Sequence, residues 1–119
     1  MRVMILVLSA LSAIGGGAVA AEMPMERLAA DSYAARAVDG AQIASDWCDS
    51  CHMVRPGSGT DAAPTFAQIA EERSPEQIRA YLARPHGGMP PIQLSNGQIE
   101  DVIAYLKSMN RGSDVTPPK

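Results

Sequence analysis

Cys48-Asp49-Ser50-Cys51-His52 decides how this sequence is read, because it holds both cysteines of the chain within four residues. Cysteines three apart on one helical turn point the same way, so both sulfurs can bond a single planar group lying beside the turn. The next residue, His52, is then held beneath the centre of that group. This is the C-x-x-C-H pattern of haem attachment: each sulfur forms a thioether to one vinyl-derived carbon of the same porphyrin, and the imidazole binds iron. Two other chemistries use such pairs. A thiol–disulfide site wants a strand-helix-strand setting, which the sequence lacks. A zinc site could be assembled by count from Cys48, Cys51, His52 and His86, yet adjacent Cys51 and His52 project to different sides of a helix.

Upstream, Met1-Arg2 precedes an apolar stretch from Val3 to Ile14, then Gly15-Gly16-Gly17 and Ala18-Val19-Ala20, with no acidic residue before Glu22. This reads as a secretory leader, residues 1–20, with an A-x-A exit after Ala20 or Ala21. The alternative is an uncleaved membrane anchor, but the apolar run is shorter than the ~20 residues that a span needs. Both cysteines fall in the exported portion, where free thiols are oxidised unless chemistry occupies them.

The rest of the chain is punctuated for helices. Residues 21–38 are Ala-rich and polar without a clear 3.6-residue stripe and are expected to form a partly flexible arm. Asp39-Gly40-Ala41-Gln42 has the look of a helix start, with Ile43 and Trp47 following on one face and leading into Cys48. Val54 to Ala63 has the composition of a loop. Thr65 with Gln68, Ser74-Pro75 with Gln77, and Ser95 with Gln98 predict three further helix starts. The last of these helices carries Ile99, Val102, Ile103 and Leu106 at i, i+3, i+4, i+7. Pro85 forces an exit from the third, and residues 85–94, with three prolines and two glycines, make a stiff loop.

That loop presents Met89 between Gly87-Gly88 and Pro90-Pro91. An electron-transfer haem needs a second axial ligand, and a thioether favours ferrous iron. Of the other methionines, Met1 and Met4 leave with the leader, Met23 and Met25 lie in the arm, Met53 adjoins His52, and Met109 extends a core stripe. His86 is the competitor: as a ligand it would give a bis-imidazole site of lower potential, and otherwise it is an exposed loop residue.

From Asp39 to Met109 the sequence resembles the class I cytochrome c family, specifically its short bacterial members. Gly40, eight residues before Cys48, matches the family glycine at which the first and last helices cross, and Ala104-Tyr105-Leu106 matches the helix that crosses it. Ala63-Pro64-Thr65-Phe66 matches the segment whose proline carbonyl, here that of Pro64, accepts the second ring proton of the proximal histidine. Gly88-Met89-Pro90 matches the distal methionine loop. The resemblance implies an all-α cytochrome c fold of about four short helices around one covalently bound haem c. Residues 39–110 would form the domain and 111–119 a tail, with His52 and Met89 as metal ligands and Cys48, Cys51 and Pro64 completing the cofactor site. Two departures stand out. Ala44 occupies the place of a family aromatic, for which Trp47 one turn on is the expected substitute. Lys107 and Lys119 are the only lysines, so there is no lysine ring.

Composition agrees with this picture and bounds the partners. The 119 residues include one Phe, one Trp and three Tyr among many Ala, Met and Ile, which suits helices more than sheets. A chain this short has a thin core, which an enclosed cofactor would fill out. Ten basic against thirteen acidic residues leave a net charge of −3, one unit more negative without the leader. That balance argues against nucleic acid and anionic lipid, with a membrane as partner only if the leader stays. It implies redox partner proteins with basic docking patches. The expected role is a periplasmic electron carrier, not an enzyme. The alternatives are a dedicated haem subunit of a periplasmic oxidoreductase, such as a molybdenum-dependent dehydrogenase, and an open-site sensor or peroxidase-type protein.

Overall fold

The computed structural model describes residues 24–84 and 87–111. The leader and most of the tail therefore lie outside the described residues, as do Pro85 and His86. The described chain is all helical: α1 spans Met25–Trp47, α2 Phe66–Glu72, α3 Pro75–Ala83 and α4 Asn96–Met109.

Three of the four helix starts fall where the sequence placed them. Thr65, Ser74 and Ser95 each accept a hydrogen bond from the backbone N–H three residues on, and Gln68, Gln77 and Gln98 each accept one in turn from the cap residue's own N–H. These reciprocal pairs satisfy amide donors that no preceding turn can reach. At α3, Pro75 adds a preset φ at the first helical position. The Glu76 carboxyl there is held below its usual range by a backbone N–H and by the Ser74 hydroxyl.

The first helix corrects the sequence reading. It begins at Met25, not at Asp39, and runs through the stretch expected as an arm. The stabilising contacts come from elsewhere in the chain, where no periodicity could announce them. Tyr33 donates its hydroxyl to the Ala104 carbonyl at 3.2 Å, Arg36 pairs with Asp101 at 2.9 Å, and the Arg111 guanidinium lies 4.3 Å from the centre of the Tyr33 ring. Ala residues favour the helical backbone across the same stretch, so α1 is long where four short helices were expected.

α4 is the hub, packing against each of the other three helices. Its approach to α1 follows from a stripe of small residues, Ala37, Gly40, Ala41 and Ala44, spaced i, i+3, i+4, i+7 and all buried. A Cβ built on Gly40 would lie 1.9 Å from the Asp101 carbonyl oxygen, a distance no pair of atoms tolerates. Glycine is thus required at the crossing, and Ala44 is small for the same reason. α4 fills the other side with Ile99, Val102, Ile103 and Leu106, and the buried Tyr105 hydroxyl donates to the Val54 carbonyl at 2.8 Å. At its C-terminal end, Lys107 and Asn110 donate to the carbonyls of Ala70 and Arg73, closing acceptors that α2 leaves open at its own end.

Candidate functional site

α1 ends at the pentapeptide. The Cys48 N–H still bonds back to Ala44, and then the chain tightens into a turn in which the N–H groups of both Cys51 and His52 donate to the Cys48 carbonyl, at 3.2 and 2.9 Å. The loop that follows folds back over this turn. Ala63 N–H and the Thr60 hydroxyl both donate to the Cys51 carbonyl, and Phe66 N–H donates to Met53. Gly59 permits the closure: its φ is +68°, and a Cβ there would meet the His52 carbonyl oxygen at 2.1 Å. Asp49 Oδ1 is buried under the same glycine without a hydrogen-bond partner among the described residues.

The fold-back brings Pro64 to His52. The imidazole Nδ1 lies 2.6 Å from the Pro64 carbonyl oxygen, and since a carbonyl only accepts, Nδ1 carries the proton. That bond leaves Nε2 as the nitrogen with a free lone pair and fixes the plane of the ring. Phe66 adds an edge-on contact to the imidazole, 5.6 Å between centroids, and Phe66 in turn stacks at a tilt on Tyr105. His52 is thereby tied through Phe66 to the helix that organises the whole fold.

His52 and both cysteines face a cavity of about 560 Å³, in the size range of cofactor and ligand pockets, ~300–1,000 Å³. Its walls are largely apolar, with Phe66, Ile69, Ile78, Leu82, Val102 and Leu106 among them. Met89, presented by the Gly-Gly-Met-Pro-Pro loop after α3, lines the same cavity. All five residues singled out in the sequence thus line one space, Pro64 while also holding His52.

These residues fit a haem. Two sulfurs on one turn, an oriented imidazole, a thioether on a separate loop and a predominantly apolar enclosure are the donor set and surroundings that it needs. The Cys48 thiol is pushed up to about 11, first by burial and then by the adjacent Asp49 charge. At neutral pH it is a thiol and not a thiolate, the reverse of what disulfide exchange uses. For zinc, no group of three His, Cys, Asp or Glu gathers among the described residues, His86 lying outside them.

Other expectations change. Trp47 does not replace the missing aromatic in the helix crossing: it is 61% exposed and borders the cavity instead. Two other arginines, Arg55 and Arg84, do not line the cavity. Arg55 donates to Ser45, and Arg84 borders a smaller neighbouring pocket. The arginine on the cavity wall is Arg73. Its signal was present in the spacing Phe66, Ile69, Arg73, at i, i+3, i+7, but Arg73 is a polar residue that follows the last residue of α2, and the sequence reading did not single it out.

Comparison with known proteins agrees with the site. Residues 35–106 match the family model described as cytochrome c oxidase, cbb3-type, subunit III. A cytochrome c-552 from Bradyrhizobium diazoefficiens is 38% identical over 82 residues, covering 66% of this chain and 79% of the relative. No solved structure gives a significant match. The matched segment begins inside α1, ahead of the Gly40 crossing, and ends in the α4 helix that completes it, enclosing the pentapeptide and the methionine loop, so the chain belongs to the class I monohaem c-type cytochromes, electron carriers that hold haem c covalently.

Proposed function

We propose that this protein is a periplasmic one-electron shuttle whose haem iron is held by His52 and Met89. The observation that carries the reading is the single cavity lined from one side by Cys48, Cys51 and His52 and from another loop by Met89. When bound, haem supplies a metal that alternates between ferric and ferrous states. The chain's own residues do the rest. Cys48 and Cys51 tether the group so that ligation by His52 is effectively intramolecular. Pro64 holds His52 in one tautomer, Met89 favours the reduced metal, and the apolar walls keep water away. With His52 and Met89 both holding the metal, it would have no position left for a substrate.

The leader reading supports export, and no described helix is long and apolar enough to cross a membrane. The net charge of −3 favours a partner with a basic docking patch, so electron transfer should slow as salt is added. Carbon monoxide tests the ligand set. The ferrous wild-type protein should not bind it, and Met89→Ala should. Ready binding by the wild type would overturn the Met89 assignment.

A second reading is favoured by Met25 and Leu28, 84% and 51% exposed on the first turns of α1, and by the subunit named in the matching family model. In it the chain is the haem subunit of a larger oxidoreductase, docked through that end of α1. Co-elution with a large subunit separates it from a freely diffusing monomer.

A further inference from the structure

The haem brings two carboxylates as well as a metal, on the porphyrin edge opposite the vinyl-derived carbons that the cysteines bind. Those carboxylates need a cation or hydrogen-bond donors wherever the cavity covers them. Among the described residues that line the cavity, Arg73 supplies the only permanent charge, and no acidic residue stands on the wall. Its place along the cavity is set by α2. Phe66 lies beside the His52 ring, Ile69 comes one turn later and Arg73 one turn later again, all three on the cavity wall. The helix carries the chain on the order of 10 Å from Phe66 to its end at Glu72, so Arg73, the next residue, stands on the wall away from the stretch where Phe66 meets the His52 ring.

The guanidinium is also held ready. It lies over the Tyr81 ring, 5.7 Å from its centre, and Tyr81 is itself a wall residue. The backbone beneath it is clamped, since Lys107 donates to the Arg73 carbonyl at 2.5 Å. Other arginines are engaged elsewhere: Arg36 with Asp101, Arg79 with Glu100, Arg55 with Ser45 and Arg111 on Tyr33. Arg73 makes no ion pair with any described residue. A planar fork laid on an aromatic face, without a carboxylate partner of its own, is suited to a carboxylate delivered by the cofactor.

We propose that Arg73, oriented by the ring of Tyr81, binds a haem propionate and raises the reduction potential of the iron. The inference rests on the haem reading above. A positive charge near the haem favours the ferrous form, which carries one positive charge less than the ferric.

The test uses the full exported haem protein and three variants, Arg73→Gln, Arg73→Lys and Tyr81→Leu. Each is followed by mediated redox titration and by the propionate bands of the resonance Raman spectrum. Arg73→Gln should keep wild-type axial-ligand absorption while its propionate bands move, and its ferrous-to-ferric ratio at a fixed ambient potential should fall several-fold. Arg73→Lys should restore most of that ratio while its propionate bands still differ from wild type, because the charge returns without the fork. Tyr81→Leu should move both readouts in the direction of Arg73→Gln but less far. If Arg73→Gln fails to fold, the Arg73→Lys and Tyr81→Leu bands decide. Haem-loaded variants with unchanged propionate bands and potential overturn the proposal and leave the cytochrome reading standing. Wild-type protein that emerges without haem overturns both.

Discussion

The two sides of α4 are built on opposite plans. Toward α1, backbone meets backbone: Gly40, Ala37, Ala41 and Ala44 leave no room for anything but the other helix. Toward α2, α3 and the methionine loop, Val102 and Leu106 face a cavity that the polypeptide does not fill. The first side is complete as protein alone. The second acquires its full burial only when the cofactor supplies the missing apolar surface, so stability and haem loading should be coupled on one side and largely separable on the other.

The contrast can be broken in order of effect. Replacing both Cys48 and Cys51 by alanine should abolish covalent attachment, so that acidified organic solvent extracts all haem. The variant should also unfold at lower denaturant than wild type, since the cavity side then lacks its tether. On the closed side, Gly40→Val should cost about 3 kcal/mol or more, because a side chain at 1.9 Å from the Asp101 carbonyl oxygen must push the helices apart. Guanidinium unfolding of haem-loaded protein measures it. Gly88→Ala, with φ +83° but open space around its Cβ position, should act differently. It should disturb the Met89 loop, and the absorption band of the proposed Met89 ligation, more than the unfolding midpoint.

Tyr105 joins the two sides, and Tyr105→Phe sharpens the comparison. Losing its hydroxyl strands the Val54 carbonyl and should cost ~1–3 kcal/mol near neutral pH. In the wild type the phenol is pushed above its ordinary value, first by burial and further by Asp49, against the pull of Arg55. A raised folded value favours the protonated form. Its contribution is therefore fully present below the unfolded value of about 10 and is lost as pH rises through the folded one. Unfolding midpoints between neutral pH and pH ~11 should fall more steeply for wild type than for Tyr105→Phe.

The smallest effect lies at the surface, where Arg79 makes a two-pronged pair with Glu100. The hydrogen bonds from Arg79 hold the Glu100 carboxyl below its ordinary value. Its contribution is present above the unfolded carboxylate value and is lost as pH falls through the folded one. Glu100→Gln should lower stability slightly at pH 7 and leave it unchanged below the folded carboxylate value, which flattens the acid side of the stability curve.

Local signals were legible wherever a few neighbouring residues carry the physics. The three caps at Thr65, Ser74 and Ser95 sit within hydrogen-bond reach of their own helices, so sequence neighbours suffice to find them. The haem pentapeptide is similar, since one turn of helix sets its spacing. Residues 25–38 were misread because Tyr33 and Arg36 are held by partners more than 60 residues away. Arg73 was missed because a polar residue at a helix end looks like surface until the facing wall is known.

Taken by itself, the sequence determined what would be attached and through which two cysteines, for thioether chemistry is written in residue type and spacing. It also marked where most helices begin, for the same reason of short reach. Only the tertiary structure decided how far α1 extends, that Trp47 borders the cavity instead of the helix crossing, and which arginine stands on the cavity wall. Those outcomes depend on which distant surfaces α4 draws together, and burial against a distant segment is a property of the packed chain.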